Sequence, residues 1–233
     1  MHRSIDPAAI LSYLPILLKF LPLTMVILSG SLMVGSIVGG ILAVARSSES
    51  KVVSTLAAAF VSFFRGTPVI IQLLLIFYGL PELVRVFGFN FRGVAPLFFV
   101  ILTLGVHSSA ALAESFRSAI DSVERGQVEA AYSVGLSGAQ TLYRIVAPQA
   151  LRVLMPNFAN TVMSSLKDTS LAFSIGVVDM VGRGLTIGNV EFKLLEVYLA
   201  LGIIYYLVGL LVGRLFQYWE QRLALPDQAF AAK

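Results

Sequence analysis

Asn157, Thr161, Ser164 and Asp168 recur at steps of four, three and four in an otherwise apolar run. At about 100° per residue they fall on one narrow face of a helix, and that face ends in a carboxylate. Thr169 and Ser170 follow it, so two hydroxyls stand beside the carboxylate as receptors for a substrate ammonium group and for side-chain donors. The plainer alternative is that Lys167 and Asp168 cap or pair within a helix bundle. A second face is made by His107, Glu114, Ser118 and Asp121, at steps of seven, four and three. Arg65 is the one charge in the thirty residues 52–81, with Gly66, Thr67 and Pro68 directly after it. It is expected first as a structural ion pair with Glu114; the other use is to receive an α-carboxylate together with the amides near Gly66 and Thr67. His107 reads as a polar residue of the bundle rather than a proton relay. Gln72, Phe63, Phe64, Phe77 and Tyr78 read as packing or lipid-facing residues rather than gates.

Such charges need elements that hold them in an apolar setting. Of 233 residues 57% are hydrophobic and 13% charged, and the mean hydropathy is +0.85, where soluble domains carry about 25% charged residues. The chain is therefore an all-α integral membrane protein in this reading, with the lipid bilayer as its solvent. Residues 20–45 hold no charge over 26 positions, enough to cross a hydrocarbon core of about 30 Å. Further spans are expected at about 52–80, 93–116, 153–180 and 196–214, five in all, in one transmembrane domain covering 1–233. The second should bend or unwind where Gly66 and Pro68 flank Arg65. Ser31, Gly35 and Gly39 form a small-residue ridge on the first span, read as ordinary close packing.

Five spans put the termini on opposite sides. With residues 117–152 inside, Arg46, Lys51, Arg117, Arg125, Arg144, Arg152, Arg214, Arg222 and Lys233 lie inside, against Arg3, Lys19, Arg85, Arg92, Arg183 and Lys193 outside. The bias favours an external N-terminus and a cytoplasmic C-terminus. A net charge of +4 is accounted for by these flanks, without nucleic acid as a partner. With no Cys and two His, no metal site is expected. The N-terminal apolar stretch lacks an early small-residue cleavage site, so no cleaved leader is expected.

Between the third and fourth spans the chain turns amphipathic. Val128, Ala131 and Tyr132 share a helical face; Gly135 suits a C-terminal stop; Ser137 can cap a second short helix carrying Leu142, Ile145 and Val146, which Pro148 ends. A loop resting on lipid headgroups would satisfy that pattern. Its spacing is more particular. Glu129, Ala130, Ala131, Gly135, Ile145 and Pro148 resemble the EAA loop of bacterial ABC importer permeases. FRGTPVIIQLLLIFYGLP at 64–81, SVERGQVEAAYSVGLS at 122–137, PQALRVLMPNFAN at 148–160 and KDTSLAFSIGVVDM at 167–180 are similar to permeases of the polar amino acid subfamily. The likeness covers about residues 15–220. A departure lies in the third span, HSSAALAESFRS, where many relatives carry an aromatic and small-residue run before the Glu.

The resemblance implies a type I importer fold in the bacterial cytoplasmic (inner) membrane, with cytoplasmic coupling helices at 122–148 that dock in a groove of a separate ATPase subunit. It implies that ATP and Mg sit on that subunit, that an extracytoplasmic amino-acid-binding protein delivers substrate, and that a second permease copy or a paralogue completes the pathway. It places the KDTS region near the substrate. The chain has no G-x-x-x-x-G-K-[ST] phosphate loop, so no catalytic residue and no cofactor are expected in it. Glutamine or glutamate, basic amino acids and cystine remain open, with a lean to cystine on general similarity. The rivals are an ion-coupled secondary amino acid transporter using Glu114, Asp168 and His107, which would call for more spans or an inverted repeat, and a structural membrane protein, which has no use for the polar stripe.

Overall fold

The computed structural model describes residues 5–88, 91 and 93–223. Arg3, Arg92 and Lys233, which entered the charge count above, and the end of the polar tail lie outside the described residues. Every regular element among the described residues is helical. We number them α1 (Pro7–Leu18), α2 (Leu21–Arg46), α3 (Lys51–Gly66), α4 (Val69–Arg85), α5 (Pro96–Asp121), α6 (Arg125–Ser133), α7 (Gly138–Ile175), α8 (Met180–Glu191) and α9 (Leu194–Leu223). α2, α5 and α9 are each long and apolar enough to cross a membrane. The pairs α3/α4 and α7/α8 qualify as broken spans, bent by 110° and 54°.

On the face of α2 that meets α5, small residues rather than large apolar ones are buried. Along α2, Met33, Ile37, Ile41 and Val44 are exposed, while Thr24, Ser31, Gly35 and Gly39 are buried. Hydrocarbon solvates the large apolar side chains as well as a protein core does, so the inside is left to small residues that let backbones approach. A Cβ on Gly35 would sit 2.3 Å from Ser108 Oγ, and one on Gly39 would sit 2.9 Å from Leu112 Cβ and 3.0 Å from the Ser109 carbonyl oxygen. The small-residue ridge is thus the seam between α2 and α5. Buried Ser108, Ser109, Ala110 and Ala113 make α5 the central column.

The first break follows from Pro68. Thr67 ahead of it is extended, at φ −113° and ψ 143°, as steric pressure from a proline ring requires. The carbonyls left without helical partners are taken up by side chains: Gln72 Nε2 donates to the Phe64 oxygen at 2.9 Å and to the Thr67 oxygen at 3.0 Å, and Thr67 Oγ1 donates to the Phe63 oxygen at 2.9 Å. A broken helix is tolerated in a membrane only when its freed backbone groups are satisfied in this way. At the second break Gly176 takes φ +85°. Asp179, fully buried, then caps α8 by accepting from Gly182 N at 2.9 Å and from Thr24 Oγ1 at 3.4 Å.

Three features depart from the expectations. α1 and α8 are two extra helices, both too short to span. They pack with α9 through Tyr13, Leu17, Met180, Ile187, Val197 and Leu201. Pro148 does not end a helix. It lies in the first turn of the α-helical segment Ala147–Asp168, directly after a π-helical turn at Leu142–Val146. Proline has no N–H to donate and its ring crowds the carbonyl four residues back; widening the preceding turn absorbs both defects and lets the helix continue. The Arg65–Glu114 pair is also replaced: Glu114 pairs with Arg46 of α2 and, at 3.4 Å, with Arg117 one turn along α5. Arg46, the last residue of α2, and Arg65 border the same space as Glu114, and it is Arg46 that meets the carboxylate.

At the far end of the bundle Asp6 caps α1, accepting from Ala8 N and Ala9 N at 3.1 and 3.2 Å, and Lys193 Nζ donates to it at 2.8 Å. Tyr13 donates to Glu191 Oε2 at 2.5 Å. The Lys193 bond, followed by the backbone donors, holds the Asp6 carboxyl below its ordinary range.

Candidate functional site

A cavity of about 330 Å³ opens where α3, α5 and α7 meet, at the low end of the range for small-molecule sites. Arg65 enters from the last turn of α3, His107 and Ser108 from α5, and Thr161, Ser164 and Asp168 from α7. The polar stripe read from the sequence therefore faces this space, and a guanidinium and a carboxylate from different helices share its walls. Neither Arg65 nor Asp168 has an ion pair or a side-chain hydrogen bond among the described residues. Two opposite charges thus border one space without forming an ion pair with each other.

Not all the residues expected here arrive. Asn157 lies outside the cavity and donates weakly to the Val153 oxygen at 3.4 Å. Thr169 is fully buried and donates to the Leu166 oxygen at 2.7 Å, with Tyr205 Oη at 3.4 Å. Ser170 donates to the Lys167 oxygen. After Asp168 the chain tightens into a 3₁₀ turn, Thr169–Ile175, which rotates these hydroxyls off the stripe and back onto their own backbone. Thr67 acts in the helix break rather than on the wall. Glu114 lies instead in a neighbouring space of about 420 Å³ that also reaches Arg46 and Arg65. Arg65 thus borders both.

Four contributors were missed from the sequence: Gln72, Ser108, Asn160 and Ser165. Asn160 and Ser165 line the cavity one position off the stripe. Gln72 is 2% exposed, and its Oε1 lies 3.0 Å from His107 Nδ1. Its place four residues after a Gly-Thr-Pro break was the available signal: freed carbonyls call for a nearby amide donor.

The second candidate region is the loop between α5 and α7. α6 ends in a Schellman motif: Gly135 takes φ +82°, its N–H donates to the Tyr132 oxygen at 2.9 Å, and Leu136 N donates to the Ala131 oxygen at 3.1 Å. Ser137 then opens α7 with a capping box, its Oγ accepting from Gln140 N and its own N–H donating to Gln140 Oε1 at 2.8 Å. Ala131 is buried and Glu129, Ala130, Gly135 and Pro148 are exposed, with Ile145 half-buried. Val128 and Val146 anchor the loop on Ala119, Val123 and Ala150. Among the outward side chains, Val134 is 77% and Tyr143 76% exposed, beside Tyr132 and Leu142, with the polar Glu129, Gln140 and Arg144 also exposed.

Comparison with known proteins is consistent across sequence and structure. Residues 31–225 match the family model described as binding-protein-dependent transport system inner membrane component. The chain is 45% identical over 223 residues to the L-cystine transport system permease protein of Bacillus subtilis (strain 168), covering 96% of this chain and 93% of that protein. It is 36% identical over 225 residues to a probable amino-acid permease protein of the same organism, covering 96% and 98%. Its fold matches the crystal structure of an amino acid ABC transporter with a TM-score of 0.81, at 28% identity, covering 94% of this chain and 100% of that one.

Proposed function

Since the chain belongs to the family of inner membrane components of binding-protein-dependent transport systems, we propose that it is the permease subunit of an ATP-driven importer for a polar amino acid, with cystine the first candidate. The observation that carries the reading is the cavity in which Arg65 and Asp168 stand unpaired among hydroxyls. An amino acid zwitterion supplies a carboxylate for the first and an ammonium for the second, and charge-assisted hydrogen bonds of this kind are the strong ones. Thr161 and Ser164 give side-chain contacts. The likeness to a cystine permease supports that substrate ahead of glutamine, glutamate or basic amino acids.

ATP with Mg is hydrolysed on a separate ATPase subunit that receives the exposed apolar crown of Tyr132, Val134, Leu142 and Tyr143, with Glu129 as a polar anchor. A second permease copy or a paralogue completes the pathway, and an extracytoplasmic binding protein delivers the substrate. The loop side faces the cytoplasm, which puts the N-terminus outside and the C-terminus inside. Movement reaches the cavity along α7, which begins at the loop and carries Thr161, Ser164 and Asp168 on the same helix. Binding of ATP shifts the population of two bundle arrangements through differential contacts, with no covalent step in this chain.

The test is uptake of labelled L-cystine, L-glutamine and L-arginine into vesicles holding the permease, its ATPase and its binding protein. Uptake that requires ATP and the loaded binding protein is expected. Uptake that follows a proton or sodium gradient without ATP would overturn the reading in favour of an ion-coupled carrier.

A further inference from the structure

His107 sits on the cavity wall, and its tautomer is fixed by chemistry several ångströms away. Gln72 is the key. One end of its amide lies 2.9 Å from the Phe64 carbonyl oxygen and 3.0 Å from the Thr67 carbonyl oxygen. Carbonyl oxygens only accept, so that end is the NH₂ group, and a flipped amide would set oxygen against oxygen. The other end is then Oε1, which accepts only. It lies 3.0 Å from His107 Nδ1, so Nδ1 carries the hydrogen. In the neutral ring Nε2 is left as the lone-pair nitrogen. Nε2 has no hydrogen-bond partner among the described residues and is not one of the side-chain atoms sealed without a partner. His107 lines the cavity, and with Nδ1 committed to Gln72 the Nε2 edge is the one left to meet a ligand there.

We infer that the break after α3 sets the specificity of the cavity: Gln72, held by the carbonyls that Pro68 frees, locks His107 so that Nε2 and the Asp168 carboxylate form a pair of acceptors for the ammonium group of an amino acid. The inference rests on the proposed function for the ligand class, and adds to it a positioning residue and a second acceptor. A lone carboxylate attracts any cation, whereas two acceptors with fixed directions select an ammonium, whose several N–H donors can meet both. His107 touches the ligand; Gln72 acts through it. The arrangement also explains why an amide at position 72 serves where another hydrogen-bonding group would not. A carboxylate could not donate to the Phe64 and Thr67 oxygens, and a lysine could not accept from the ring.

The experiment is nitrogen-15 NMR of the permease labelled at histidine and carrying His2→Gln, which leaves His107 as the single imidazole, reconstituted with its ATPase in lipid. A pyrrole-type Nδ1 and a pyridine-type Nε2 are expected. A protonated Nε2, in either the opposite tautomer or the imidazolium, overturns the inference without touching the transport reading. The Nε2 resonance should move on addition of whichever of L-cystine, L-glutamine or L-arginine the uptake assay finds transported. If that amino acid is transported and Nε2 stays in place, the inference fails alone; if none is transported, the proposed function fails. Two variants separate the ring edges. His107→Asn keeps a donor near the Nδ1 position and removes the cavity acceptor, so it should assemble normally and raise the half-saturating substrate concentration about ten-fold, the loss of one charge-assisted hydrogen bond. His107→Gln places an amide near the Nε2 position and should recover most of that affinity. Equal behaviour of the two variants would overturn the assignment.

Discussion

The loop at one end of α7 and the cavity near its other end are built on different plans. The loop is contiguous. Its stop at Gly135, its cap at Ser137 and its buried Ala131 lie within seven residues, and each makes its contacts with near neighbours in the chain. The cavity is assembled from α3, α5 and α7, so that Arg65 and Asp168 meet across more than a hundred positions. A contiguous device keeps its own geometry and can be moved as a unit; an assembled one changes shape whenever its helices shift. That division would suit the proposed transport role, with the loop as a stiff handle and the cavity as a deformable site.

The sharpest way to break the comparison is to remove the charge at the cavity while leaving the handle intact. Asp168→Asn keeps the size and one acceptor oxygen and deletes the negative charge. Loss of a charge-assisted contact worth about 1.5–3 kcal/mol should reduce uptake at limiting substrate by ten-fold or more, with complex assembly unchanged. Normal uptake would remove the residue from the pathway, and failed assembly would make it a packing residue.

Next in size is the ion pair that supports the assembled region from below. Glu114→Gln leaves Arg46 without a full partner at a half-buried position, and should destabilise the protein by about 2 kcal/mol, less than the roughly 3–5 kcal/mol of a fully buried stranded charge because both side chains keep some contact with solvent. Arg46→Met should cost a similar amount. The double variant should recover part of the loss in a thermal unfolding cycle, because no unmatched charge remains. Strict additivity would mean that the two groups act separately.

These differences explain what the sequence disclosed. Gly135 and Ser137 were legible because helix stops and caps depend on residue type at fixed short offsets. The stripe Thr161, Ser164 and Asp168 was legible because it lies on one regular helix. Asn157 fell off the site because a face is wider than a cavity, and Thr169 and Ser170 fell off because a 3₁₀ turn changes the rotation per residue just past Asp168. Glu114 was given the wrong arginine because periodicity reports which residues share a helix face, and says nothing of which neighbouring helix ends beside it. Pro148 was read as a stop because a π turn, which neutralises a proline, has no strong signature of its own. The short helices α1 and α8 carry neither a span's length nor a strong amphipathic pattern, and they exist because tertiary packing with α9 holds them.

A smaller effect is expected at the handle. Gly135→Val forces a β-branched residue to φ +82°, at a cost of about 1 kcal/mol or more. There is open space for the side chain, so the strain is in the backbone and the first turn of α7 should tilt to relieve it. Insertion and binding-protein docking should survive, while stimulation of ATP hydrolysis by loaded binding protein should fall together with uptake. Glu129→Ala, which removes an exposed polar group and keeps the turn, should give a milder form of the same defect. Undiminished stimulation in both variants would make the segment a surface loop.

The smallest effect should come from the far end, where neither region is touched. The Asp6 carboxyl titrates below its ordinary range because Lys193 and two backbone amides favour its charged form, so its contribution is present above the unfolded value and is lost as the pH falls through the lower, folded one. Lys193 is raised by the same contact; its contribution is complete below the ordinary lysine value and disappears only as the pH rises through the folded one. The latch between α1 and the α8–α9 turn should therefore hold across the neutral range and open below about pH 4. Hydrogen exchange of the α1 amides should quicken there, while α5 keeps its protection. Asp6→Asn should remove the pH dependence and leave α1 docked more loosely at neutral pH, since Tyr13 and Leu17 stay buried against Met180 and Val197. Uptake should change little. A transport defect as large as that of Asp168→Asn would mean that α1 belongs to the moving parts, and that the division between handle and cavity misses a third element.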